Sequence, residues 1–252
     1  GVSSAASDVY KRQNLETESA FAVLAKATKL ISEGKDIINL GIGQPDFPTP
    51  TNIQEAAIKA IKDGHHGYTP SNGILALREA VSEQIQNNYN VNISPDQILI
   101  TPGGKPTIFY SSLILGGEEN EIIYPDPGFP IYRSMINFSG AKAIPLKLSE
   151  KDDFEINVDK LEKLITNKTS LIILNNPNNP TGSFMSQSKI DRIAKMLEKY
   201  PNIFILSDEI YSKIIFNDKK MPSFLKYENL RNRLIILEGW SKTFCMTGWR
   251  LG

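Results

Sequence analysis

The feature that most constrains the fold of this chain is the alternation of short apolar segments with stretches of helical periodicity. From residue 98 onward, runs of four to six mostly apolar residues are separated by segments whose apolar residues recur every three or four positions. The predicted strands are 98–101, 121–124, 141–146, 171–175, 203–207 and 234–237. This order predicts βαβ units, and therefore an α/β fold with a mostly parallel sheet and helices on both faces.

The helical segments carry their own start and stop signals. Thr49 and Pro50 resemble a cap followed by proline in a first turn, and Gly34 and Gly64 follow the last apolar positions of two segments. The predicted helices are 19–33, 50–63, 74–89, 105–115, 130–139, 158–165 and 186–199. A short apolar segment at 37–40 is predicted to be a further strand.

Composition excludes several classes of protein. The 252 residues include 28 Lys and Arg against 28 Asp and Glu, and a net charge of zero argues against a nucleic-acid binder. The longest apolar runs have four or five residues, too short for a membrane span. The single cysteine, Cys245, excludes a disulfide framework and fits a reducing compartment, so we expect a cytoplasmic protein.

Residues of unusual chemistry follow four of the predicted strands. Open α/β sheets bind their ligands beyond the carboxyl ends of the strands, so these residues are expected to meet at one edge. In chain order they are Gly103, Gly104 and Lys105, then Asn179, then Asp208 and Tyr211, and finally Ser241 and Lys242.

Two glycine-rich segments raise the question of nucleotide binding. Gly103-Gly104 precedes a predicted helix and can direct backbone N–H groups at a phosphate. It is not a Walker loop, because the four-residue spacer and the Ser or Thr after the lysine are missing. Gly41-Ile42-Gly43 does not continue as a dinucleotide fingerprint, since Asp46 occupies the third glycine position and Pro45 would block the helix.

The set of residues fits pyridoxal phosphate better. This cofactor needs a lysine amine, a carboxylate at its pyridinium nitrogen, and donors to its ring oxygen and phosphate. Lys242 is a candidate amine and Asp208 a candidate carboxylate, while Tyr211 and Asn179 can donate to the ring oxygen. Arg250 can pair with the phosphate through its forked guanidinium.

Five motifs carry a resemblance to a known family. They are Gly43-Gln44-Pro45-Asp46-Phe47, Tyr68-Thr69-Pro70, Asn178-Asn179-Pro180-Thr181-Gly182, Ser207-Asp208-Glu209-Ile210-Tyr211, and Ser241-Lys242-Thr243 continuing to Gly248-Trp249-Arg250. In order and spacing, from about residue 15 to the end, they resemble the class I/II aminotransferases, which are pyridoxal phosphate enzymes of fold type I and are aspartate-aminotransferase-like.

The resemblance implies a role for each matching residue. Lys242 would form the Schiff base and act as the base for proton transfer, Asp208 would pair with the pyridinium nitrogen, and Tyr211 and Asn179 would hold the ring oxygen. The phosphate would be bound by Arg250, Ser241 and the amides of Gly104 and Lys105. Phe129 would stack on the cofactor, and Gly43, Phe129 and Asn179 would contact the substrate. Tyr68 would reach the site of a neighbouring subunit, which implies a homodimer; no metal is implied.

The resemblance also implies a domain organisation and an activity. Residues 1–13 are expected to be non-native or disordered, 14–47 to be the N-terminal segment of a small domain, and 48–252 to be an incomplete large domain that binds the cofactor. A C-terminal small domain with the arginine for the substrate carboxylate would be missing. The expected activity moves an amino group from an L-amino acid to a 2-oxo acid. A related lyase or decarboxylase and a non-catalytic pyridoxal phosphate-binding remnant remain open, as do aspartate, aromatic amino acids and alanine as donors.

Overall fold

Five parallel strands form the centre of the molecule. A computed structural model describes residues 19–216 and 220–252, so the expectation for residues 1–13 lies outside the described residues. The strands are β1 (Glu121–Asp126), β2 (Lys142–Lys147), β3 (Thr169–Asn175), β4 (Phe204–Asp208) and β5 (Leu234–Leu237). They lie side by side in the order β2-β1-β3-β4-β5, and every neighbouring pair is parallel.

The helices agree closely with those predicted from periodicity. They are α1 (Ser19–Ser32), α2 (Thr51–Lys62), α3 (Leu75–Tyr89), α4 (Lys105–Leu115), α5 (Ile131–Ser139), α6 (Val158–Leu164), α7 (Gln187–Leu197) and the short α8 (Trp240–Thr243). In the part of the chain that the structure describes, four 3-10 segments are found at Pro95–Gln97, Glu150–Asp152, Phe224–Lys226 and Glu228–Arg233. Within residues 19–216 and 220–252, no helix has the length and apolar character needed to cross a membrane.

The central strands are buried on both faces, as the unbroken apolar runs predict. Ile172 of β3 and Ile205 of β4 pack against α6 and α7 on one face of the sheet. The next residues along the strands, Ile173 and Leu206, face the opposite side and pack with residues of α4 and α5. Alternate side chains therefore supply two apolar cores, and the expected parallel sheet with helices on both faces is confirmed.

Two predicted strands are wrong. Residues 98–101 are apolar but do not join the sheet: Ile100 donates its N–H to Asn72, and only Thr101 makes a paired contact, exchanging two backbone hydrogen bonds with Gly252. At 37–40, Ile38 is 86% exposed and Leu40 is 90% exposed. An apolar run becomes a strand only where another strand offers a continuous hydrogen-bonding edge, and neither segment has one in the described chain.

The register of the sheet brings three strand ends together. Asn175 at the end of β3 is paired with Asp208 at the end of β4, and Asp208 is paired with Leu237 at the end of β5. The loops that follow these strands therefore begin at the same level of one edge. This is the edge at which parallel α/β sheets bind ligands.

Candidate active site

Asp208 is a buried carboxyl at this edge of the sheet. Its Oδ1 accepts a hydrogen bond from the Ile210 N–H at 3.2 Å. Burial raises the pKa of Asp208 to about 6, although the hydroxyl of Tyr132 and the Ile210 N–H both favour the ionised form. A cationic partner placed beside the carboxyl would favour ionisation further.

Tyr132 is a site residue that is not among those predicted from the sequence. Its hydroxyl donates to Oδ2 of Asp208 at 2.5 Å, and its side chain is completely buried. Burial, and then the neighbouring Asp208 charge, raise the pKa of Tyr132 well above its ordinary value, so the phenol keeps its proton. The only signal in the sequence is its position three residues after Phe129, because its partner lies 76 residues further along the chain.

Asn179 and Tyr211, both predicted site residues, are in direct contact. Nδ2 of Asn179 donates to the Tyr211 hydroxyl at 3.3 Å, which joins the loop after β3 to the turn after β4. Burial raises the pKa of Tyr211, the Asp208 charge adds to this effect, and the Asn179 amide opposes it. Both side chains are half-buried and therefore accessible to a ligand.

Lys242 lies on α8, directly after β5, and contacts the N-terminal part of the chain. Its Nζ donates to the backbone oxygen of Gly43 at 2.6 Å, across 199 positions of sequence. Partial burial lowers the pKa of the Lys242 ammonium. Gly43 and Lys242, both predicted site residues, are thus brought together, and the environment favours the neutral amine that a nucleophile or base requires.

The glycine loop before α4 lies against Arg250. The Arg250 guanidinium donates to the backbone oxygens of Thr247 at 2.7 Å and Pro102 at 3.4 Å. Gly103 has a φ of +79°, and a Cβ added there would lie 2.1 Å from Nη2 of Arg250. The loop therefore needs glycine at this position, and its close packing places a fork of donors beside a helix N-terminus.

The remaining predicted residues lie at different distances from this group. Phe129 is half-buried, and its ring meets that of Tyr132 edge-on at 5.8 Å and 88°. The Lys105 ammonium lies 5.9 Å from the centroid of the Phe129 ring. Gly104, on the loop after 98–101, and Ser241, on α8, are half-buried, whereas the Tyr68 side chain is fully exposed.

Glu209, the residue after Asp208, carries a second buried carboxyl. Oε1 of Glu209 accepts hydrogen bonds from the hydroxyls of Ser207 at 2.9 Å and Ser223 at 3.0 Å. Burial raises the pKa of Glu209 to about 8, so this side chain holds its proton at neutral pH. Glu209 is not among the predicted site residues, since an acidic residue after a strand gives no sign of its burial.

A cavity opens beside the Asn179–Tyr211 pair. It has a volume of about 430 Å³, and Phe184, Ile214 and Phe216 contribute apolar walls. Asn179 and Tyr211 supply polar groups to its lining. Mostly apolar walls with a few placed polar groups are typical of small-molecule sites.

The fold and the site together define an α/β protein that carries several functional groups at one edge of its sheet. They are the Lys242 amine, the buried Asp208 carboxyl, and the loop at Gly103 with Arg250 packed against it. Residues 35–252 match the family model described as aminotransferase class I and II. The chain belongs to this family, which confirms the resemblance found in the sequence motifs.

Individual relatives and solved structures agree with this assignment. The chain is 39% identical to the aspartate aminotransferase of Sulfolobus acidocaldarius and 34% identical to that of Bacillus subtilis, over 87% and 94% of its length. It spans only 55% and 61% of those two proteins. The structure of Thermus thermophilus aspartate aminotransferase with maleate superposes with a TM-score of 0.91 at 29% identity, over 96% of this chain and 63% of that one.

Proposed function

We propose that this chain binds pyridoxal phosphate and that the protein transfers an amino group from an L-amino acid to a 2-oxo acid. The observation that carries the proposal is the alignment of three strand ends. It brings the Asn179–Tyr211 pair next to the buried Asp208 and sets Lys242 on α8, which follows the adjacent strand β5. Membership of the class I and II aminotransferases supports the same reaction.

The residues at the sheet edge fit the cofactor in charge and hydrogen bonding. A buried carboxyl at Asp208 suits the ring nitrogen, and the Asn179–Tyr211 pair suits the ring oxygen. The guanidinium of Arg250, which packs against the loop at Gly103, suits a phosphate. The amides of Gly104 and Lys105 and the hydroxyl of Ser241 would add further donors to it. When bound, pyridoxal phosphate supplies a ring that accepts electrons from the substrate α-carbon.

Lys242 is the proposed amine that holds the cofactor covalently and then moves a proton. Its lowered pKa makes the neutral form more accessible, as both tasks require. Tyr132 donates a hydrogen bond to Oδ2 of Asp208, and its raised pKa keeps the phenol protonated, so this bond holds Asp208 in one orientation. Asp208 and Tyr211 complete the proposed catalytic group with Lys242.

Aspartate is the amino donor that we propose to test first, because the relatives described above are named aspartate aminotransferases. Gly43, Phe129 and Asn179 are the proposed substrate contacts. Gly43 supports this role through its hydrogen bond with Lys242, which sets its backbone beside the reacting amine. We also propose that 14–47 is the N-terminal segment of a small domain and that 48–252 is the cofactor domain.

The test is an absorbance titration of the purified protein with pyridoxal phosphate. We expect a visible band when the cofactor binds, loss of that band after addition of aspartate, and its return with 2-oxoglutarate. Lys242→Ala should abolish the band, whereas Lys195→Ala, which removes an exposed lysine on α7, should leave it unchanged.

The possible outcomes separate the alternatives. A visible band that does not respond to aspartate, aromatic amino acids or alanine would contradict amino transfer and favour a non-catalytic binder. Release of carbon dioxide or loss of a β-substituent from the amino acid would favour a decarboxylase or a lyase. A band that persists in Lys242→Ala would rule out Lys242 as the attachment site.

A further inference from the structure

Asn175 connects the two sides of the candidate cofactor site. It is the last residue of β3, and its side chain is 3% exposed. Oδ1 accepts the backbone N–H of Asn179 at 2.7 Å, while Nδ2 donates to the backbone oxygen of Asp208 at 3.0 Å. One amide thus binds both the loop that carries Asn179 and the strand end that carries Asp208.

These contacts close a ring of interactions. From Asn175 the ring passes through the backbone of Asn179 to its side chain, which donates to Tyr211 at 3.3 Å. Tyr211 lies three residues after Asp208 in the same turn, and the Asp208 oxygen returns to Asn175. The same Asp208 oxygen also accepts the Asn176 backbone N–H at 3.0 Å, and that bond does not depend on the Asn175 side chain. The Asn175 amide adds a direct link from this strand end to the residues proposed to bind the ring oxygen.

We propose that Asn175 is a positioning residue that sets the spacing between Asp208 and the Asn179–Tyr211 pair. The inference rests on the proposed function, because it assumes that a cofactor ring lies between these groups. Only asparagine fits the geometry at this length, since the site requires an acceptor for one backbone N–H and a donor for one backbone oxygen. A buried group that loses either partner is costly, so the side chain has little freedom to rotate.

Asn176 provides a matched control. It is the neighbouring residue, is of the same type, and is 1% exposed. Its side chain, however, accepts from the Met185 N–H at 2.8 Å and donates to the Met221 sulfur at 3.7 Å, and so points away from the candidate site. Removing either amide should cost similar stability, whereas only the Asn175 amide should affect the cofactor.

The experiment compares Asn175→Ala, Asn175→Asp and Asn176→Ala with the unchanged protein. Asn175→Asp keeps the shape and the acceptor for Asn179 but cannot donate to the Asp208 oxygen, so it remains informative if the alanine variant folds poorly. We expect both Asn175 variants to weaken pyridoxal phosphate binding about tenfold, the effect of losing about 1.4 kcal/mol. The pH transition of the visible band should move to higher pH, because the hydrogen bonds to the ring oxygen are weakened.

A measurement without cofactor completes the test. Hydrogen exchange of the peptide around Asn179 should become faster in Asn175→Ala, which loses the acceptor for the Asn179 N–H, than in Asn175→Asp or Asn176→Ala. If the Asn175 variants bind the cofactor and titrate like Asn176→Ala, the positioning role is excluded, even if all three variants lose the same thermal stability. Failure of the unchanged protein to bind pyridoxal phosphate would instead contradict the proposed function.

Discussion

At the scale of single residues, Glu209 should make the stability of this protein depend on pH. Its pKa is raised from 4.5 to about 8 by burial, so between these values the folded state holds a proton that the unfolded state has lost. Stability from this group is fully present below pH 4.5 and falls as pH rises through 8, by at most about 1.4 kcal/mol per pH unit. Glu209→Gln cannot ionise, so urea unfolding at pH 5, 7 and 8.5 should show a smaller decrease.

The control for this prediction is Glu79→Gln, which changes an exposed glutamate on α3. This variant should keep the pH dependence of the unchanged protein. If Glu209→Gln loses stability with pH as steeply as Glu79→Gln does, a proton held by Glu209 does not account for the effect.

Gly103 gives a second residue-scale prediction, with Gly34 as its match. Both have a left-handed backbone, with φ of +79° and +80°, but an added Cβ meets Arg250 only at Gly103 and has open space at Gly34. Gly103→Ala and Gly34→Ala should each lower the free energy of unfolding by about 1 kcal/mol for the backbone alone. Only Gly103→Ala should also displace the guanidinium and weaken pyridoxal phosphate binding, measured by fluorescence quenching. Equal affinities in the two variants would argue against a phosphate site at this loop.

At the scale of elements, local pattern predicted most of the fold because burial on both faces leaves a clear apolar signature. It failed at 98–101, where an apolar run pairs only at Thr101 with Gly252, a residue about 150 positions away. The same limit explains the site. Lys242, Asp208 and Asn179 follow strands and belong to recognisable motifs, whereas Tyr132 and Asn175 act through contacts with residues distant in sequence. The roles of Tyr132 and Asn175 depend on how the strands and helices are aligned with one another, and the sequence of a single segment does not determine that alignment.

Helix α2 has little support from the two cores. None of its residues is buried, and Ile58 and Ile61 are 52% and 69% exposed. A helix of 12 residues without tertiary packing is marginal in water. We therefore expect amides of α2 to exchange rapidly at low protein concentration, while those of β3, whose Leu171–Leu174 side chains are fully buried, exchange slowly. Equally slow exchange of α2 and β3 under these conditions would contradict this expectation.

At the scale of the whole molecule, exposed apolar side chains fit the homodimer that the sequence resemblance implies. Tyr68 is fully exposed, as are large parts of Ile61 on α2 and Ile114 on α4. Single exposed apolar residues are common on monomers, so measurement must decide whether a second copy covers these. We expect sedimentation to show a dimer, with slower exchange of α2 as protein concentration rises.

The dimer makes a sharper prediction if Tyr68 serves the site of the neighbouring subunit. Co-expressed Lys242→Ala and Tyr68→Ala chains would form mixed dimers in which one site carries both changes and the other carries neither. The mixed dimer should therefore bind one pyridoxal phosphate with the affinity and visible band of the unchanged protein. If Tyr68 acted within its own chain, each site would carry one defect and no unchanged site would remain. Tyr110→Ala, which alters another exposed tyrosine, should bind normally in every combination that retains Lys242, so a similar loss with Tyr110→Ala would remove the case for Tyr68.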